Sequence, residues 1–193
     1  MFTEIDNYVA KCITLDEKEQ AYFHSLLHHQ LVKKKTFLQV AGEVCGFEAY
    51  IIKGCIKSYY IDENGFEVIL HFAVENWWVG DIANFSDHKK STLNLEALED
   101  TEVLIIKLKD KEELYKRVPK FERMFRIMIQ RTHETMMNRL ISTMARPAEE
   151  RYINFITKYP TIPQRVPQHQ IASFLGISPE FLSKIKAKLA RNK

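Results

Sequence analysis

The stretch QHQIASFLGISPEFLSKIKAKL, Gln168 to Leu189, decides how the end of this chain folds. Ile171 and Leu175, four residues apart, share one face of a short helix. Ala172 beside them is small enough to let a second helix cross closely. Gly176 supplies the left-handed residue that ends a helix without a Cβ penalty. Ile177 plugs the turn, Ser178 is a natural N-cap, and Pro179 sits at N1, where its missing N–H costs nothing. Glu180 falls in the next helix's first turn, where the dipole favours a carboxylate. Leu182 and Ile185 turn that helix back onto the first. The pattern predicts a helix-turn-helix, a unit with which many repressors and activators read DNA. An ordinary αα-hairpin in a helical core shares the apolar pattern, so the outward residues weigh in the choice. Glu180, Ser183, Lys184 and Lys188, with Gln168 and His169 opening the first helix, form a polar, basic face suited to phosphates and base edges.

The net charge of +3 conceals an asymmetry. From Ala145 onward there are nine Lys/Arg against three acids, while the preceding 144 residues carry 19 basic and 22 acidic groups. A basic C-terminal quarter on a mildly acidic body is the footprint of a nucleic-acid-binding end. No apolar run reaches the length needed to span a bilayer, and the N-terminus shows no secretory signal, so a cytoplasmic location is expected, with no membrane partner. Cys12, Cys45 and Cys55 have neither CxxC nor Cys/His ligand spacing and read as reduced thiols.

Ahead of the helix-turn-helix the chain changes character twice. Thr14-Leu-Asp-Glu17 resembles a capping box, and helical spacing runs on to about Leu27. From Leu31 to about Leu108, short apolar or β-branched runs (TFLQVAG, EAYIIKGCIKSYYI, EVILHFAV, TEVLIIKL) alternate with turn signals. Asn64-Gly65 between two alternating runs is a strong hairpin signal. Such strands predict a small antiparallel barrel or jelly roll. A short helix follows over 111–117, then a long one from Pro119 to about Met144. Its length and its residues Phe121, Phe125, Met128, Thr132 and Thr135 predict a dimerisation helix, with packing on its own barrel as the alternative. Pro147 predicts a hinge, a further helix carries Tyr152 and Phe155, and Tyr159-Pro-Thr-Ile-Pro163 ends it in a short connection.

Barrel, long helix, helix-turn-helix is an α+β layout that resembles the cyclic-AMP receptor protein / fumarate–nitrate regulator (Crp/Fnr) superfamily over nearly the whole chain, and most of all the Crp-like regulators common in Bacteroidetes. The stretches that carry the resemblance are YIIKGCIKSYYIDENGFEVILHF, WWVGD, EALED, the long helix, AEERYINFI and RVPQHQIASFLGISPEFLSKIK. It implies a cyclic-nucleotide-binding-like β-roll over 1–118, a dimerisation helix over 119–145, and a reduced winged helix-turn-helix over 146–193. It also implies a homodimer that binds double-stranded DNA, contacts RNA polymerase and regulates transcription.

Two departures qualify what the resemblance implies. Cyclic-nucleotide binders of the family carry Gly-Glu and then an Arg-Ser/Thr-small cassette whose Arg pairs with the cyclic phosphate. The matching positions here are Gly80-Asp81 and Lys90-Ser91-Thr92. Lys lacks the planar fork of a guanidinium, and the first Arg of the chain is Arg117. Cyclic AMP is therefore not the expected effector, and no cofactor is expected. In the recognition helix, Pro179 replaces the family's first Arg, Glu180 keeps the acid, and Lys184 stands for the later Arg. The operator is then expected to differ from that of the founding member, and any wing to be rudimentary.

No nucleophile–base pair, phosphate-cradling loop or paired-carboxylate pattern points to an enzyme. A metal-dependent cupin barrel would need clustered ligands, and the barrel offers His71 and His88, seventeen apart. The adjacent His28-His29 read as solvated helix residues, and Trp77-Trp78 as core or interface aromatics. A ligand-sensing or cupin-like barrel whose helical end mediates protein contacts stays open as the alternative.

Overall fold

The computed structural model describes residues 1–82 and 89–191. Their contacts divide into two units, the first built from Met1–Ser58 and Phe72–Thr132, the second from Tyr59–His71 and the chain from His133 onward. The first unit opens with α1 (Thr3–Ala10) and α2 (Glu17–Ser25). The capping box sits at Asp16 and Glu19 rather than at Thr14 and Glu17. Asp16 Oδ1 accepts from the N–H groups of Lys18 and Glu19, and Glu19 returns to the Asp16 N–H. A carboxylate caps as well as a hydroxyl does, and the Asp16 register places a Glu at N3 to complete the box.

Among the described residues the strands are β1 (His28–Val32), β2 (Phe37–Gln39), β3 (Phe47–Lys53), β4 (Ile56–Ile61), β5 (Glu67–Ala73), β6 (Trp78–Val79), β7 (Asn94–Ala97) and β8 (Thr101–Lys107). His28 and His29 therefore lie on a strand and not on a helix, because the opening helix stops at Ser25. The strands form two four-stranded sheets, ordered β1-β8-β3-β6 and β2-β7-β4-β5. Gly54, at φ +116°, turns β3 into β4. A Cβ there would stand 2.6 Å from the Thr101 backbone, so no other residue fits. The expected hairpin forms at Asn64-Gly65 within the second unit. Gly65 (φ +82°) donates to Asp62 O at 3.0 Å, and Asp62 N–H donates to Phe66 O at 3.0 Å.

Alternation makes the first sheet apolar on both faces. Ala49 and Ile51 of β3, opposite Ile105 and Val103 of β8, face Ile56, Leu95 and Ala97 of the second sheet. Between them on the same strands, Tyr50, Leu104 and Ile106 face the helices. That helical layer consists of α1, α2, α3 (Leu108–Arg117) and the start of α4 (Lys120–Ala145). Phe23 and Phe121 rings lie 4.6 Å apart, and Trp78 meets Phe125 edge-on at 5.4 Å. Lys111 of α3 is buried there too, paired with Glu48 at 2.6 Å and 4.0 Å above the Phe125 ring.

This packing corrects the seam expected on the long helix. Phe121, Phe125 and Met128 are buried within the chain's own core, because the outer face of the first sheet needs an apolar cover. Thr132 is exposed and Thr135 half-buried. In the second unit the same helix exposes Met136, Met137, Leu140, Ile141 and Met144. After it come α5 (Ala148–Lys158), α6 (Ile162–Arg165), α7 (Gln168–Leu175) and α8 (Pro179–Arg191). The short α6 lies in the stretch read as a plain connection.

Phe121→Ala is expected to destabilise the first unit by about 3–5 kcal/mol, the usual cost of emptying a buried phenylalanine site. Urea unfolding followed by circular dichroism measures it.

Candidate nucleic-acid interface and effector cassette

The second unit contains the predicted helix-turn-helix. Gly176 adopts φ +64°, ψ +42° after α7. Its N–H donates to Ser173 O at 3.0 Å and the Ile177 N–H donates to Ala172 O at 3.1 Å. These two bonds are the Schellman pattern, which closes a helix and redirects the chain in one residue. Ser178 Oγ then accepts from the Phe181 N–H at 3.2 Å and caps α8. Ile171, Ala172, Leu175, Leu182 and Ile185 are all buried, as the spacing predicts. Phe155 of α5 stacks at a tilt on Phe174 with centroids 5.3 Å apart, and Arg151 of α5 donates to Leu175 O at 2.6 Å.

The predicted contact residues share one surface, but several are already engaged with each other. Half-buried Gln168 donates to Ser183 Oγ at 2.8 Å and accepts from Lys186 at 3.2 Å. Ser183 also donates to Pro179 O at 3.0 Å. The Glu180 carboxylate folds back onto the helix start. Its own backbone N–H, and then the Ser178 hydroxyl, hold it below the usual carboxylate range. Lys188 pairs with Glu149 at 2.6 Å. His169, Pro179 and Lys184 are exposed.

Two residues that carry no motif tie this unit together. Arg139 of α4 donates to the carbonyls of Leu70, Ile69 (3.1 Å) and Phe174 (2.7 Å), and lies 4.0 Å over the Phe174 ring. Ser173 of α7 donates to Glu67 O at 2.8 Å and accepts from the Ile69 N–H at 3.1 Å. β5 is the last strand of its sheet, so these side chains satisfy backbone groups that an edge leaves open. A side chain bonded to backbone needs no particular sequence at its target, which is why residue spacing gave no sign of either.

In the first unit, two of the residues matched to an effector cassette are bonded to each other. Ser91 Oγ donates to Asp81 Oδ2 at 2.5 Å, both residues buried. Ser91 Oγ accepts from the Leu93 N–H at 2.9 Å, and its backbone bonds to Glu43 O and the Gly42 N–H. Gly80 packs so that a Cβ would lie 3.2 Å from Phe47 O. Lys90, bridged to Val44, and Thr92 are exposed. His88 lies outside the described residues, and His71 belongs to the second unit. Among the described residues no three His, Cys, Asp or Glu side chains group as metal ligands, and no helix is long and apolar enough to cross a membrane.

Residues 29–118 match the family model of the cyclic nucleotide-binding domain. A search of curated proteins finds no match. Among solved structures, the c-di-GMP-responsive global regulator CLP of Xanthomonas campestris is 15% identical with TM-score 0.75, over 92% of this chain and 93% of that one. FixK2 of Bradyrhizobium japonicum is 17% identical with TM-score 0.75, over 86% and 85%. A transcriptional regulator assigned to the Crp/Fnr family, from Eubacterium rectale, is 17% identical with TM-score 0.69, over 92% and 85%. The chain has the Crp/Fnr fold. The fold is thus common to this chain and to regulators of low sequence identity.

His71 gives the second unit a pH dependence. Burial, and after it the Arg139 charge, push the imidazole of the half-buried His71 down to about 4. Below about pH 6.5 the unfolded chain takes up a proton that the folded unit refuses until about pH 4. The stability present above pH 6.5 is therefore lost as pH falls, by about 1.4 kcal/mol per pH unit from this group. Urea midpoints between pH 7 and pH 5 should show that loss, and His71→Gln should flatten it.

Proposed function

We propose that this protein is a homodimeric, sequence-specific DNA-binding regulator of transcription of the Crp/Fnr type, with α8 as its reading helix. The observation that carries the reading is the Schellman turn at Gly176. It crosses α7 and α8 so that Leu182 and Ile185 point inward while Glu180, Lys184 and Lys188 face solvent. Lys184 and Lys188, with Gln168, His169, Ser178, Pro179 and Ser183 around them, supply contacts to phosphates and base edges. The basic excess of the C-terminal quarter adds the long-range attraction that DNA binding uses.

The second copy seats on the later half of α4. Met136, Leu140 and Met144 are 65%, 52% and 80% exposed, with exposed Met137 and Ile141 beside them. Their spacing of three and four makes an apolar stripe, which a matching stripe on a second helix covers. Thr132 and Thr135 lie next to it, and Phe121, Phe125 and Met128 stay with the β-roll. A two-fold pair of reading helices then addresses half-sites about 34 Å apart, one turn of duplex. RNA polymerase is the protein partner through which the bound dimer acts, in the cytoplasm. Cyclic AMP is not the effector, because Lys90 is exposed and Ser91 and Asp81 already satisfy each other.

Fluorescence anisotropy with duplexes selected from a random pool tests the reading. Wild type should lose affinity steeply with salt, and Lys184→Ala with Lys188→Ala should lower the log–log salt slope by about one per lost phosphate contact. Millimolar cyclic AMP should leave the binding curve unchanged. Undiminished binding by the double variant would remove α8 from the interface. Met136→Glu with Leu140→Glu should shift sedimentation from dimer to monomer and weaken binding in parallel.

A further inference from the structure

Most polar side chains around the reading face are engaged within the second unit: Glu180 with Ser178, Ser183 with Pro179 and Gln168, Lys186 with Gln168, and Lys188 with Glu149. Among them stands an aromatic side chain that these bonds do not involve. Phe181 lies in the first turn of α8 and is 49% exposed. Its neighbour Leu182 is fully buried, and Ile185 beyond it is buried as well. Three and seven residues on from Phe181, Lys184 and Lys188 are exposed on the same helix. The Phe181 backbone is pinned by its bond to Ser178 Oγ, so the ring is held at the helix start. The first turn of a recognition helix is the part that meets base edges.

An exposed ring in a polar surface gains by contact with an apolar group. In the major groove, the apolar group that a base edge offers is the C5-methyl of thymine, and phenylalanine is among the side chains that contact it. We propose that Phe181 reads thymine through this methyl group and so sets one position of each half-site. The proposal rests on the DNA-binding reading above and names a specificity determinant within it. Phe181 adds discrimination against cytosine, which lacks the methyl, without spending a hydrogen bond.

The test uses the full chain and a duplex selected from a random pool, with each thymine in turn replaced by deoxyuridine. That change removes the methyl alone and keeps every hydrogen-bonding group. Wild type should lose about fourfold in affinity at one thymine per half-site, the worth of burying one methyl-sized group. Phe181→Ala should bind the thymine and deoxyuridine duplexes equally while keeping its salt dependence through Lys184 and Lys188. Phe181→Leu, which keeps an apolar side chain, should retain part of the penalty and serves as the folded control if the alanine variant is unstable. A full deoxyuridine penalty in Phe181→Ala, or none at any thymine in wild type, overturns the proposal while leaving DNA binding intact. A wild type that selects no duplex overturns the DNA-binding reading itself.

Discussion

The first sheet, β1-β8-β3-β6, is apolar on both faces, and both must be kept from water. The second sheet covers one face through Ile56, Leu95 and Ala97, and a helical layer covers the other through Phe23, Leu114, Phe121 and Phe125. Much of the first unit's organisation answers to that requirement. It explains why α1 and α2 pack on the strands, why α3 brings the buried Lys111 to Glu48, and why the start of α4 is a core element. The same requirement divides α4 by role. Its first half closes a core, which leaves the exposed stripe of Met136, Leu140 and Met144 to carry any association.

The second unit solves a different problem. β5 ends a sheet, and an edge strand presents unpaired carbonyl and N–H groups. Arg139 and Ser173 meet the groups of Glu67, Ile69 and Leu70, and Arg139 and Arg151 meet carbonyls at the end of α7. An arginine can serve several carbonyls at once because its guanidinium carries five donors in one plane. The tip of the β4–β5 hairpin, the later half of α4 and the helix-turn-helix are thus one compact unit although two separate segments of the chain supply them.

The cluster around Ser91 and the helix α8 share a chemical economy. In each, groups that look free in the sequence are satisfied by neighbours: Ser91 by Asp81, Ser183 by Gln168 and Pro179, Lys188 by Glu149. The consequence differs with burial. Ser91 and Asp81 are buried, so a ligand that sought either would have to displace a bond already made in a dry environment. Lys188 and Ser183 are exposed, where such bonds are weak and exchange with solvent or phosphate.

By itself the sequence determined the helix-turn-helix, because each step of it is local: Gly176 for the left-handed turn, Ser178 for the cap, and apolar residues three and four apart. It also determined the Asn64-Gly65 hairpin and Lys90 at the position where the resemblance implies an arginine, which are matters of residue identity. Only the tertiary structure decided where Phe121, Phe125 and Met128 go, since a helix periodicity is the same whether the partner is a sheet of the same chain or a second copy. It likewise decided the roles of Arg139 and Ser173, whose partners are backbone atoms that leave no trace in residue type. Local rules act over one turn of chain and can be read in order. The covering of a sheet face or an edge strand joins residues far apart, and only folding shows which ones meet.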